Sequence, residues 1–170
     1  VCYSMGTATM VLFLVKELDL PKPLFGVILT IQGLGAIAGS IIAPKASKKF
    51  GRSNMMTFGI FFSSLVLLAQ GFSPNIYIFV ALATFGAFTI SQWNILLMAT
   101  YQTIIPNDLY GRIHGTRRTI VWGMMPFGSL LGGALAHFSL RLPMYFGGVV
   151  ATSIAVFSIK FLLHFGSQVE

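Results

Sequence analysis

The chain has 170 residues, of which 55% are hydrophobic and 9% charged, with a net charge of +7. A water-soluble domain carries about a quarter of its residues charged, so a soluble fold is excluded. The basic excess sits beside apolar runs, which points to lipid headgroups rather than nucleic acid.

The charges are segregated. No Asp, Glu, Lys or Arg occurs in 23–44, 53–107, 119–140 or 142–159. A bilayer crossing needs roughly 20 apolar residues, so these runs hold one, two, one and one spans. A further apolar run opens the chain. Span one is Val1 to about Val15, ending at Lys16, Glu17 and Asp19. It is shorter than a full crossing and lacks an initiator Met and a basic leader, so a signal peptide is disfavoured. The chain is expected to begin inside a helix.

The turn Pro21-Lys22-Pro23 leads to span two, about Leu24 to Ala43, with Gly33, Gly35 and Gly39. Glycines four apart strip one helical face of side chains, so a neighbouring helix can approach closely. A compact basic loop is expected over 44–53, from Pro44 through Lys45, Lys48 and Lys49 to Gly51-Arg52. Span three covers about Asn54 to Gln70. Gly71, Ser73, Pro74 and Asn75 turn the chain into span four, about Ile76 to Gln102.

Pro106 cannot donate a backbone hydrogen bond and restricts Ile105, so it stops span four. A second basic loop is expected over 103–118. In it Asp108 and Arg112, four apart, can pair on a short helix, Gly111 admits a tight approach to a neighbour, and Arg117 and Arg118 face the headgroups. Span five runs from about Thr119 to Leu140. Pro126 breaks its backbone ladder, and Gly128, Gly132 and Gly133 offer a flat packing face. Such a helix is either a static kink or a bending element. Span six covers about Pro143 to Phe165.

Seven basic residues lie after spans two and four, against three at the alternate ends. The positive-inside rule then puts the former, and both chain termini, in the cytoplasm.

The glycine-rich span two leading into a basic segment that ends Phe50-Gly51-Arg52 resembles the loop signature of the major facilitator superfamily. Pro44, Lys48 and Lys49 stand where that pattern has Gly, Asp and Arg. A sharper likeness is carried by Tyr101-Gln102, Pro106, Gly111-Arg112 and Arg117-Arg118, with Trp122-Gly123, Pro126, Gly128 and Gly132-Gly133. These resemble spans 10 and 11 of the superfamily's macrolide- and siderophore-efflux branch. The resemblance implies that residues 1–170 are one carboxy-terminal six-helix bundle, spans 7 to 12, with the first helix clipped. It implies an all-α membrane protein whose partner is a missing amino-terminal six-helix half. The implied activity is efflux of drug-like or siderophore-like small molecules by alternating access, across the cell membrane, with protons as a candidate coupling ion.

Polar residues at membrane depth are the candidate site, because each needs a partner or water. Thr84, Ala87, Ser91, Asn94 and Met98 recur at steps of three and four, as one small and polar stripe on span four. Phe85, Phe88 and Ile95 are bulky and lie opposite. By the resemblance, Tyr3, Thr7 and Met10 of span one join Ser91 and Asn94 around a central cavity. Asn94 serves there either as a substrate contact or as an interhelical hydrogen bond. Gln32 in span two is a weaker candidate of the same kind.

The chain has no HExxH, no GxSxG and no glycine-rich phosphate loop followed by Lys. No enzyme, cofactor, metal or nucleic-acid partner is expected. All four acidic residues, Glu17, Asp19, Asp108 and Glu170, fall outside the spans. The histidines and Lys160 lie in a loop or near span ends. A proton-coupling carboxylate is therefore expected in the missing half. The alternative reading is a self-standing six-span channel or interaction subunit that acts as a homodimer.

Overall fold

The computed structural model describes residues 2–18, 21 and 24–167 (for 107 and 160–167, the backbone). The sequence readings at Asp19, Lys22, Pro23 and Glu170, and those on the side chains of Lys160 and His164, fall outside these residues. Seven helices follow one another: α1 (Cys2–Lys16), α2 (Phe25–Phe50), α3 (Arg52–Gly71), α4 (Ile76–Ile104), α5 (Asn107–Gly123), α6 (Met125–Ala136) and α7 (Leu142–Ser167). Taking α5 and α6 as one segment, five are long and apolar enough to cross a membrane. Among the described residues, these and the shorter α1 form the six-helix, strand-free bundle that the charge pattern predicts.

Helix α4 packs along both α2 and α3, α7 lies against α3, and α1 is held between α6 and α7. Glycines make these approaches possible. A Cβ on Gly35 would stand 2.6 Å from the Thr84 carbonyl oxygen, and one on Gly39 would run into that of Phe88. Between α6 and α1, a Cβ on Gly132 would meet the Met5 carbonyl oxygen at 2.6 Å. Helices in lipid gain little from burying apolar surface, so such backbone-to-backbone packing holds them together.

The outer surface is apolar and much of the buried polarity is satisfied locally, as a lipid solvent requires. Leu34, Ile41, Leu130 and Phe157 are exposed. Thr9, Ser64, Thr89 and Thr100 are buried and donate to carbonyls one turn back in their own helices. Phe13, Leu14, Ile28, Phe79, Ala83 and Met144 form the larger core, drawn from α1, α2, α4 and α7. Ala43, Met56, Leu96 and Leu97 form a second.

Two expected loops are helical instead. Residues 44–50 continue α2 through Pro44, and the chain turns at Gly51, whose φ of 85° suits a residue without Cβ. Residues 107–118 belong to α5. The reason is the same in both places. Lys, Arg, Ala and Leu form helix readily, and charge marks where the membrane ends rather than where the helix ends.

The predicted stop at Pro106 is present. Ile105 is extended with ψ 125°, its N–H bonds the Tyr101 carbonyl at 2.9 Å, and α5 starts directly after the proline. Asn75 begins α4 as an N-cap, its side chain accepting from Ile78 N–H at 3.0 Å. Pro126 lies in the first turn of α6, where a missing N–H costs little, and Met124 is the break between α5 and α6.

Candidate functional site

A cavity of about 520 Å³ opens between α1, α4 and α5. Tyr3 contributes from α1; Ile90, Trp93, Asn94 and Met98 contribute from α4. The α5 wall is His114, Arg117, Arg118, Val121 and Trp122, with Met125 just beyond it. Tyr3 also reaches a small interior cavity of about 40 Å³, which it shares with Thr7, Met10, Gln32 and Gln70.

The structure thus brings Tyr3 and Asn94 to one cavity and places Thr7 and Met10 in its smaller neighbour. Ser91 is half-buried and lines neither. The expected stripe divides for a geometric reason. Positions 84 and 94 differ by roughly 80° around a helix turning about 100° per residue. Thr84 is therefore against Gly35 of α2 while Asn94 faces the large cavity. Thr7 spends its hydroxyl locally, donating to the carbonyls of Tyr3 and Ser4. Gln32 Nε2, in the small cavity, is buried without a hydrogen-bond partner.

The structure corrects two expectations at the α4–α5 junction and one in α6. Gly111 is exposed and a Cβ there would meet nothing within 4 Å, so it makes no tight approach within this chain. Asp108 and Arg112 are both exposed and form no ion pair. Gly133 also faces open space; the packing face of α6 consists of the buried Gly128 and Gly132. Gly51 and Arg52 form the α2–α3 corner, the latter opening α3.

The α5 wall escaped the sequence reading. His114, Arg117, Arg118, Val121, Trp122 and Met125 follow steps of three, one, three, one and three, which is one stripe of a helix. That signal was present but hidden by reading 103–118 as a loop. The wall is ordered by its aromatic neighbours. Arg117 lies 5.2 Å from the ring centroid of Tyr101, and Arg118 lies 4.9 Å from that of Trp122. His114 stacks on Tyr110 with centroids 5.7 Å apart, and Tyr110 donates its hydroxyl to the Met98 sulfur at 3.7 Å.

A multi-span bundle of this kind, closely packed through glycine and holding a partly polar cavity among several helices, is that of a membrane transport protein. Over residues 3–167 the chain matches the family profile described as transmembrane secretion effector, and it belongs to that family of the major facilitator superfamily. It is 29% identical over 111 residues to the staphyloferrin A transporter of Staphylococcus aureus (strain NCTC 8325 / PS 47). That match covers 64% of this chain and 27% of that protein. It is 27% identical over 113 residues to the uncharacterized MFS-type transporter YceJ of Bacillus subtilis (strain 168), covering 66% of this chain and 28% of the relative. The matched stretch therefore spans little more than a quarter of either relative's length. No solved structure matches the chain.

Proposed function

We propose that residues 1–170 act as the carboxy-terminal half of a secondary transporter that exports a small molecule from the cell. The cavity bounded by Tyr3, Asn94 and the α5 wall carries this reading, since it joins polar and aromatic groups from three helices. In the proposed mechanism the bundle rocks against an amino-terminal six-helix half, and the cavity faces each side in turn. Pro126 and the Met124 break give the α5–α6 segment a place to flex, with Gly128 and Gly132 as its packing face. Gly111 and Arg112, at the α4–α5 junction, are assigned to the cycle through contacts with that other half.

The relative named for staphyloferrin A supports a siderophore-like cargo over a macrolide-like one. Both ends of the chain are placed in the cytoplasm of a cell membrane, with the basic ends of α2 and α5 on that side. No step of this mechanism makes or breaks a covalent bond.

The test expresses the full-length protein in an efflux-deficient host and measures retention of siderophores and macrolides. Export of at least one is expected, and no change in retention of any compound counts against the reading. Ser47→Cys, on the basic end of α2, should be shielded from an impermeant thiol reagent in intact cells; labelling from outside would reverse the topology.

A further inference from the structure

Among the described residues, the large cavity's wall holds cationic side chains and no carboxylate. Arg117 and Arg118 line it, with His114 one turn before them. Among the described residues neither arginine has a carboxylate at ion-pair distance; the pair that does form joins Arg141 to Glu17. The two guanidiniums instead rest against Tyr101 and Trp122. A guanidinium held by its face keeps its in-plane N–H fork available. The Nδ1 atom of the half-buried His114 is itself buried and has no hydrogen-bond partner.

Around these groups the wall is apolar or aromatic: Ile90, Trp93, Val121 and Trp122. Cations beside such a surface are costly until a counter-charge arrives. An arginine that merely reaches for headgroups would not need Asn94 and Trp93 across a cavity from it. The volume also lies in the range of roughly 300–1,000 Å³ that small-molecule sites occupy.

We propose that this cavity binds a small molecule carrying two or more carboxylates on a flat, partly apolar body. Arg117 and Arg118 take the carboxylates as bidentate forks, and Trp93 and Trp122 cover the body. His114 and Asn94 supply further hydrogen bonds. This inference rests on the reading that the cavity holds the transported molecule, and it adds the sign of that molecule's charge.

The test is calorimetric titration of the full-length protein in phosphatidylcholine nanodiscs. The probe is benzene-1,3,5-tricarboxylate, and the comparator is the neutral tricarboxamide of the same shape. The tricarboxylate is expected to bind and the amide to give no measurable binding. Arg117→Gln with Arg118→Gln should weaken the tricarboxylate by about tenfold or more. The doubly Lys-substituted protein, which keeps both charges but not the forks, should fall between and shows that the cavity survives substitution. Replacing part of the phosphatidylcholine with phosphatidylglycerol should leave the affinity unchanged.

Failure of the tricarboxylate to bind, equal binding of the two probes, or unchanged affinity in the Gln protein would overturn the proposal. So would loss of binding on adding phosphatidylglycerol, which would make a lipid headgroup the natural occupant. Tricarboxylate binding without export of any compound would sink the transport reading and leave this site standing. Export that persists in the Gln protein, with no tricarboxylate binding in the parent, would do the reverse.

Discussion

Arg141 and Glu17, 124 positions apart in sequence, meet at 3.0 Å, with the guanidinium Nε donating to Oε2 of the carboxylate. The same guanidinium donates to the Gly71 carbonyl at 3.4 Å and lies 5.5 Å from the Phe13 ring centroid. Tyr145 donates its hydroxyl to the same carbonyl at 2.8 Å. One arginine therefore ties together the ends of α1 and α3 and the start of α7. These ends lie at the face of the bundle where positive charge is sparse.

Both partners are about one-third exposed, at 31% each, so the ion pair stabilises weakly, by about 0.2–1 kcal/mol. Arg141→Gln should lower the melting temperature in detergent by no more than about 4 °C. Exchanging the two charges, Glu17→Arg with Arg141→Glu, should recover most of the loss. The hydrogen bond that Arg141 donates to Glu17 holds the guanidinium pKa above its ordinary value. A group raised on folding contributes fully below its ordinary value and loses that contribution only as pH climbs past the folded one. The guanidinium's contribution is therefore expected to be flat between about pH 6 and 9. A wild-type minus Arg141→Gln difference that falls away across that window would contradict this.

Close packing at Gly39 gives a larger effect. A Cβ there would run into the Phe88 carbonyl oxygen, which belongs to backbone and cannot swing away. Gly39→Val should destabilise the α2–α4 contact by about 1–3 kcal/mol. Gly33 is the internal control, because a Cβ there meets nothing within 4 Å. Gly33→Ala should be neutral or slightly stabilising, by up to about 1 kcal/mol. Thermal melts of the two proteins side by side make the comparison.

Gly111 reverses its sequence expectation in the same way. It sits inside α5 with open space around it, so Gly111→Ala should stabilise that helix by roughly 0.5–1 kcal/mol. Gly111→Val should be tolerated by the fold. A slower transport cycle in a stably folded Gly111→Val protein would then report a contact made outside this chain. Aggregation or loss of the protein from the membrane would contradict the open environment.

Asn94 faces the large cavity and is exposed to it. Asn94→Leu in the full-length protein should alter the substrate profile while leaving melting temperature within about 2 °C of wild type. Normal transport of every substrate would remove Asn94 from the site. A large fall in stability would make it an interhelical anchor instead.

For proton coupling, Glu17 lies just past the end of α1 and Asp108 in the first turn of α5, while His137 caps α6. If efflux is driven by a proton gradient, neutral replacement of Asp108, His137, Lys160 or His164, one at a time, should leave it coupled. Selective loss of coupling with downhill flux intact, in any one of them, would place the carrier in this chain.

Much of the architecture was legible because a bilayer imposes a simple rule on sequence: charge-free runs of crossing length become helices. Pro106 also ended a helix where backbone chemistry says it must. What escaped was the extent of α2 and α5, since residues 44–50 and 107–118 were read by hydropathy although their helix propensity is good. That single confusion also hid half of the cavity. Tyr3 and Asn94 stood out as polar groups at depth, but Arg117 and Arg118 could join them only once α5 was recognised as a helix. Ser91 failed for a different reason. Steps of three and four keep residues within one broad arc, and neighbouring helices divide that arc between them.

Both tryptophans of the chain, Trp93 and Trp122, stand in the wall of the same cavity. Indole emission shifts with the polarity around the ring, so this chain carries its own optical gauge of how wet that space is. Trp122, with Arg118 against its face, should sense the arrival of a ligand that draws the guanidinium away. Trp93, on the opposite wall, should sense the water that the ligand displaces. A protein retaining one indole at a time would turn filling of the cavity into two separable colour changes, without any label being attached.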